Sequence, residues 1–327
     1  MAKAVALLSG GLDSQLAIAI VKAQGVEIEA VNFQTMFGCC KDDARQAAHA
    51  LGVGFTLLKA GADYIEVIQN PKFGYGRGIN PCVDCRIYMF RRAQELMSHT
   101  GAAFMITGEV LGQRPMSQKM KDFKAIEKET GLVGRILRPL SAHQMPLTIP
   151  EQEGLIDRSK LYGIVGRSRQ KLLKLAKEYG IHNPPDPSAG CALTSPEFAK
   201  KVQDIFDHHD SRETWQFEIL RMGRHFRLGP KTKIVIARNH DQNVYLEHLH
   251  PEGTLLLSAL NFAGPTALFI GEESPEMLAQ AAAMVLRYAQ KPLPETCDIE
   301  LHRGESAEVY QAGAPAEEAF IEGVRIV

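Results

Sequence analysis

A chain of 327 residues can hold two domains of ordinary size, each with its own core. Its 45% hydrophobic and 23% charged residues suit a soluble globular protein, and no apolar run approaches the roughly 20 residues that span a bilayer. The net charge of −1 gives no overall attraction to nucleic acid, so any such affinity must come from local basic patches. The N-terminus enters a strand without the basic and apolar regions of a signal peptide, and a cytoplasmic location is expected.

In chain order, Ala4-Val5-Ala6-Leu7-Leu8 has the character of a buried parallel strand, and a helix follows from within or just after the next loop to Lys22. Between them lies Ser9-Gly10-Gly11-Leu12-Asp13-Ser14. A strand, glycine loop and helix aim several backbone N–H groups at one point, where the positive helix end also favours phosphate. Gly10 and Gly11 allow close approach, Ser9 and Ser14 supply hydroxyls, and Asp13 suits Mg2+. Strands over 26–33 and 54–58 with a helix over 42–51 complete a βαβαβ rhythm. This predicts an α/β fold, a doubly wound parallel sheet with ligands at the carboxyl ends of its strands.

A loop over 69–80 leads into Asn80-Pro81-Cys82-Val83-Asp84-Cys85-Arg86 and a helix to about residue 100. A buried strand over 103–107 then feeds the polar loop from Gly108 to Gln118, which should open near the first loop. A further strand over 136–140, a helix over 168–179 and a proline-rich loop over 183–196 end a first domain, 1–195. Beyond a helix over 196–208, strands over 218–228, 233–238, 254–257 and 267–270 and a helix over 274–290 predict a smaller α+β domain, 205–327. Polar segments without assigned structure close the chain.

The cysteines are Cys39, Cys40, Cys82, Cys85, Cys191 and Cys297, a set better suited to metal or redox chemistry than to a disulfide framework. A helix N-terminus lowers thiol pKa values, which makes Cys82 and Cys85 candidate ligands or nucleophiles. With Cys191 as a third, loop-borne thiol, three readings stand side by side. They are a [4Fe-4S] cluster with one open iron, a zinc site needing a fourth ligand, and a redox-active pair. Cys39, Cys40 and Cys297 read as packing residues. His208-His209 and His248-x-His250 read as solvent-facing, at a helix end and in a strand.

The Lys-free loop Ser9 to Ser14 differs from the Walker A pattern and resembles the signature of the PP-loop ATP pyrophosphatases. That resemblance implies cleavage of ATP between its α and β phosphates, with adenylation of a carbonyl oxygen that nitrogen or sulfur then replaces. It implies ATP and Mg2+ over Ser9, Gly10, Gly11, Asp13 and Ser14, adenine near Phe33, and Gly108 and Gln113 beside them. Asn80-Pro81-Cys82-x-x-Cys85 resembles an element of the tRNA 2-thiouridylases. Thr107 to Gln118 and Leu137-Arg138-Pro139-Leu140 resemble elements of the tRNA 4-thiouridine synthetases. The three cysteines are similar to those of cluster-dependent tRNA thiolation enzymes. The implied activity is a tRNA sulfurtransferase forming AMP and pyrophosphate, with 4-thiouridine favoured over 2-thiouridine. Asp13, Cys82, Cys85 and Cys191 would be catalytic, the three cysteines holding [4Fe-4S] or zinc. The N-terminal RNA-binding module and C-terminal rhodanese domain of many 4-thiouridine synthetases are not seen, so RNA binding and sulfur delivery are expected to differ.

The basic stretch Arg221 to Arg238 contains Arg224, Arg227, Lys231, Lys233 and one aromatic residue, which suits phosphate contacts. It resembles the RNA-associated domain of ribosome quality-control factors. The expected partners are tRNA and a sulfur donor, either free sulfide or a persulfide carrier, without a membrane and with a homodimer admitted. Two other readings are a PP-loop enzyme for a small molecule with structural zinc, and an ATP-gated RNA-binding factor.

Overall fold

Alternation along the first strand organises the N-terminal half of the chain. In β1 (Lys3–Leu7), Ala4 and Ala6 point to one side and Val5 to the other, and all three are fully buried. The computed structural model describes residues 2–38, 43–182, 190–208 and 213–327, and the chain divides into two units between Thr194 and Ser195.

The first unit runs β1, α1 (Leu12–Lys22), β2 (Glu27–Gln34), α2 (Asp43–Leu51), β3 (Gly54–Lys59), α3 (Ala62–Gln69), α4 (Cys82–Thr100), β4 (Phe104–Thr107), α5 (Met120–Thr130), β5 (Ile136–Leu137), α6 (Ile149–Gln152) and α7 (Gln170–Glu178). Its five strands are parallel in the order β3-β2-β1-β4-β5, as the βαβαβ rhythm predicts. One face of the sheet packs Ala4, Ala6 and Ala30 against Leu16 and Ile20 of α1, Ala47 of α2, and Leu172 and Leu175 of α7. The other packs Val5, Val31 and Met105 against Ile87, Phe90 and Ala93 of α4 and Ile126 of α5. Each of the larger side chains buried here, Val, Leu, Ile, Met or Phe, contributes about 1.5–3 kcal/mol. The strand expected over 136–140 is only Ile136–Leu137, because Arg138 turns into a buried ion cluster and Pro139 cannot donate to a ladder.

The second unit runs α8 (Pro196–His208), α9 (Thr214–Glu218), β6 (Arg224–Gly229), β7 (Thr232–Ile236), α10 (His240–Leu249), β8 (Thr254–Ala259), β9 (Ala267–Ile270), α11 (Pro275–Arg287), β10 (Cys297–Arg303), β11 (Ser306–Ala312) and α12 (Glu318–Val324). Its antiparallel sheet has the order β11-β10-β8-β9-β7-β6. Ile234 and Ile236 face Ala281 and Val285 of α11, whereas Val235 faces Ile219 and Leu246.

Three expectations fail here. Residues 218–221 are helical rather than extended, because Phe217 and Leu220 are both buried from one face of a helical turn. His248 lies in α10 and His250 caps it, so neither is in a strand. The end of the chain is not without structure but forms the hairpin β10–β11, at the start of which Cys297 is buried as a packing residue would be. Cys39, Cys40, His209 and residues 183–189 of the proline-rich loop lie outside the described residues. Among the described residues, no helix is long and apolar enough to cross a membrane.

Candidate nucleotide and thiol site

β1 and β4 are neighbours at the point where the strand order reverses, the place at which doubly wound sheets bind ligands. In the loop after β1, Gly10 has φ +81°, and a Cβ there would stand 2.8 Å from Cβ of Asp43. The Ser14 hydroxyl donates to the Gly11 carbonyl (2.8 Å), the Ser9 amide donates to Ser14 Oγ (3.3 Å), and Gln15 Nε2 donates to the Gly10 carbonyl (2.7 Å). These bonds tie down the loop carbonyls, while the first-turn N–H groups of α1 carry the positive helix end. Asn32, near the end of β2, donates Nδ2 to the Leu8 carbonyl at 2.7 Å.

The loop after β4 closes on this one. A Cβ on Gly108 would stand 2.5 Å from the Asp13 carbonyl carbon and the Ser14 amide nitrogen, so the two backbones are in contact. Gln113 Nε2 donates to Asp13 Oδ2 at 2.9 Å. Ser9, Gly10, Gly11, Asp13, Ser14, Gly108 and Gln113 are thus brought together. Phe33 stands at the end of β2, half-buried and packed with the cluster that includes Val31, Ile87 and Phe90.

Cys82 opens α4 and Cys85 follows within its first turn. Asn80 Nδ2 donates to Cys82 Sγ at 3.0 Å, and the hydroxyl of Tyr64, from α3, donates to Cys85 Sγ at 3.0 Å. Burial pushes the Cys85 thiol up to about 11, against the lowering effects of that hydrogen bond and of Arg86. Cys191 precedes a short turn in which the Thr194 amide and hydroxyl donate to its carbonyl at 3.0 and 2.7 Å, with Leu193 buried behind it. A Cβ on Gly78 would stand 2.3 Å from the Leu193 carbonyl oxygen, so this glycine lets the loop before α4 lie against the Cys191 segment. Cys85 and Tyr64 each feel the charges of the other cysteines. Among the described residues, however, no three His, Cys, Asp or Glu side chains gather closely enough to hold one metal ion.

A buried charge cluster links the loop after β4 to α4, which bears Cys82 and Cys85. Glu109 accepts from Arg138 Nε at 3.1 Å and pairs with Arg86 Nε at 3.4 Å. Arg138, 2% exposed, also pairs with Glu127 at 2.5 Å and lies 4.0 Å from the Phe123 ring centre. Arg114 is lowered by partial desolvation and by Arg86, while Asp13, Cys82 and Glu109 act in the opposite direction. Tyr64, Arg86, Glu109 and Arg114 escaped the sequence reading as site residues. Only the motif positions of Glu109 and Arg114, and Arg86 directly after Cys85, could have signalled them.

In the second unit the basic stretch divides. Lys233 is 2% exposed and pairs with Asp204 Oδ2 at 3.2 Å, which removes it as a phosphate contact. Arg227 grips the same carboxylate with two bonds of 3.0 and 2.6 Å. Arg224 lies over the Tyr288 ring at 4.4 Å, Lys231 pairs with Glu272 at 3.3 Å, and Arg221 and Arg238 are exposed.

Residues 1–145 match the family described as "Thiamine biosynthesis protein (ThiI)", and residues 223–322 match "NFACT protein RNA binding domain". The chain is 28% identical over 175 residues to a "Bifunctional protein NifU/MnmA" of Rubrobacter xylanophilus, covering 46% of this chain and 36% of that protein. It is 34% identical over 122 residues to a "tRNA-specific 2-thiouridylase MnmA" of Desulfitobacterium hafniense, covering 32% and 33%. It is 28% identical over 224 residues to a "Probable tRNA sulfurtransferase" of Staphylococcus aureus, covering 64% and 48%. The chain thus spans about a third to a half of the length of these relatives. Residues 1–145 are thus similar to the ThiI family and residues 223–322 to the NFACT RNA-binding domain family, each over less than half of the chain.

Proposed function

We propose that this chain is an ATP-dependent tRNA sulfurtransferase that adenylates a uridine carbonyl oxygen and replaces it with sulfur. The observation that carries the reading is the loop after β4, which is tied to both places: Gln113 donates to Asp13 at the nucleotide loop (2.9 Å), and Glu109 pairs with Arg86, next to Cys85 (3.4 Å). A substrate atom activated at one can be reached from the other.

ATP lies over Ser9 to Ser14, with its phosphates at the N-terminus of α1. Gln113 holds one oxygen of Asp13, leaving the other to Mg2+. The uridine oxygen attacks the α-phosphorus, the bond to the β-phosphate oxygen breaks, and pyrophosphate leaves. The loop amides stabilise the charge that develops. Sulfur then forms a bond to the ring carbon, the carbon–oxygen bond breaks, and AMP departs. The similarity of the Gly108–Gln118 element favours 4-thiouridine as product.

Cys82, Cys85 and Cys191 would hold a [4Fe-4S] cluster. Three thiols in mutual electrostatic reach, two of them accepting hydrogen bonds from Asn80 and Tyr64, suit thiolate ligation. Burial raises the Cys85 thiol, which suits a ligand that loses its proton on metal binding. When bound, the cluster supplies an iron with an open position for hydrosulfide. The second unit would hold the tRNA through Arg221, Arg224, Lys231 and Arg238.

Anaerobic purification with iron and sulfide analysis tests the thiol half. About four irons per chain are expected, and stoichiometric zinc without iron would sink the cluster. Mass analysis of tRNA nucleosides after incubation with ATP and sulfide tests the rest: 4-thiouridine is expected, and unchanged uridine overturns the reading.

A further inference from the structure

A pocket of about 290 Å3 opens beside Cys82, walled by Phe73 and Gly74, by Val83 of α4, by Pro115 and Met116, and by Lys119, Lys121 and Asp122. We infer that it seats one unstacked pyrimidine nucleotide of a single-stranded RNA segment, with Phe73 and Met116 against the base and Lys119 and Lys121 at its phosphates. It rests on the proposed function only for the nature of the base.

The pocket is built rather than incidental. Asp84, the residue just before Cys85, accepts the Lys72 amide at 2.9 Å and the Phe73 amide at 3.1 Å, so the helix that presents Cys82 also fixes Phe73. The Tyr75 hydroxyl donates to the carbonyls of Ile68 and Gln69 at 2.8 and 2.9 Å and holds the far side of the same loop. Phe73 and Met116 are nevertheless 41% and 42% exposed, large apolar groups held open to solvent at the mouth of a cavity. The Phe73 ring carries Lys72, 5.7 Å from its centre.

Size and charge select the occupant. The volume is at the lower end for ligand pockets and fits one small nucleotide. Neither Lys119 nor Lys121 has an ion-pair partner among the described residues, so both charges are available to phosphate. Aromatic and thioether walls with flanking cations are how proteins hold unstacked bases. Chemistry on a base requires it out of its stack, and Cys82 forms part of the wall.

The test uses the full chain and a fluorescent uridine pentanucleotide, with 5-iodouridine at its centre for photocrosslinking. Crosslinks to the Phe73 or Met116 peptides are expected. Phe73→Ala should weaken binding roughly 5- to 150-fold and Phe73→Trp should restore it. Lys121→Ala should reduce the slope of log K against log salt by about 0.7. Crosslinks only elsewhere, or a Phe73→Ala loss that Phe73→Trp does not recover, would overturn the assignment. If tRNA is thiolated with unchanged kcat/KM by Phe73→Ala, the pocket assignment fails and the proposed function stands. If the pentanucleotide binds through Phe73 but no tRNA is ever thiolated, the pocket stands and the proposed function fails.

Discussion

The hydroxyl of Tyr64 reaches from α3 to the sulfur of Cys85 and donates a hydrogen bond of 3.0 Å. The bond favours the thiolate and opposes the burial that raises this thiol to about 11. Removing it by Tyr64→Phe moves the Cys85 titration to still higher pH. At pH 8 the rate of Cys85 alkylation by iodoacetamide, followed by peptide mass spectrometry, should fall roughly tenfold. An unchanged pH profile would show that the hydroxyl does nothing for the sulfur.

Gly78 sets how closely the segment that bears Cys191 lies against the loop before α4. Its missing side chain leaves room for the Leu193 carbonyl oxygen, 2.3 Å from where a Cβ would be. Gly78→Ala forces the two segments apart, at a cost of about 1–3 kcal/mol in overpacking. The Cys82–Cys191 and Cys85–Cys191 disulfides trapped by mild oxidation should fall by roughly tenfold or more, with circular dichroism unchanged. Equal trapping in the variant would mean that the loop yields without moving the cysteine.

Arg138 is held between Glu109 and Glu127 with almost no solvent. Arg138→Met leaves buried carboxylates short of a counter-charge. Urea unfolding should report a loss of about 3–5 kcal/mol, well beyond a surface substitution. A loss below about 1 kcal/mol would show that Arg86 alone satisfies Glu109.

Lys233 supplies a pH dependence with a definite sign. Burial, with Arg227 beside it, outweighs Asp204 and lowers its pKa to about 8 from 10.5. The unfolded chain therefore binds more protons between those values, and folding gains stability as pH rises through about 8 towards 10.5. The stability of the wild type relative to Lys233→Met should increase over that window, by up to about 3 kcal/mol. Parallel curves for the two proteins would contradict the burial of a charged lysine.

Local signals carried most of what could be read from the sequence. The two glycine loops follow apolar strands, and strand order then brings them together, so Ser9 to Ser14 and Gly108 to Gln118 were visible. The contact of Tyr64 with Cys85 joins separate helices through side chains, and no periodicity encodes it. In the basic stretch, charge alone does not tell which way each strand residue points. Lys233 lies between Thr232 and Ile234 in a strand buried along its whole length, and its burial follows from that neighbourhood. Residues 218–221 misled because a short apolar run suits a strand and a buried helical turn equally. The β10–β11 hairpin was missed because β11 faces solvent over most of its length and shows no apolar alternation.

Asp84 occupies what motif notation leaves as a free position, the second x of C-x-x-C. Its carboxylate holds the amides of Lys72 and Phe73, so that position determines the doorway to the sulfur rather than the sulfur itself. Two proteins with the same paired cysteines but different residues at this place would carry the same reactive centre behind different entrances. Exchanging that one residue between them is a route to changing which substrates are admitted without touching the chemistry.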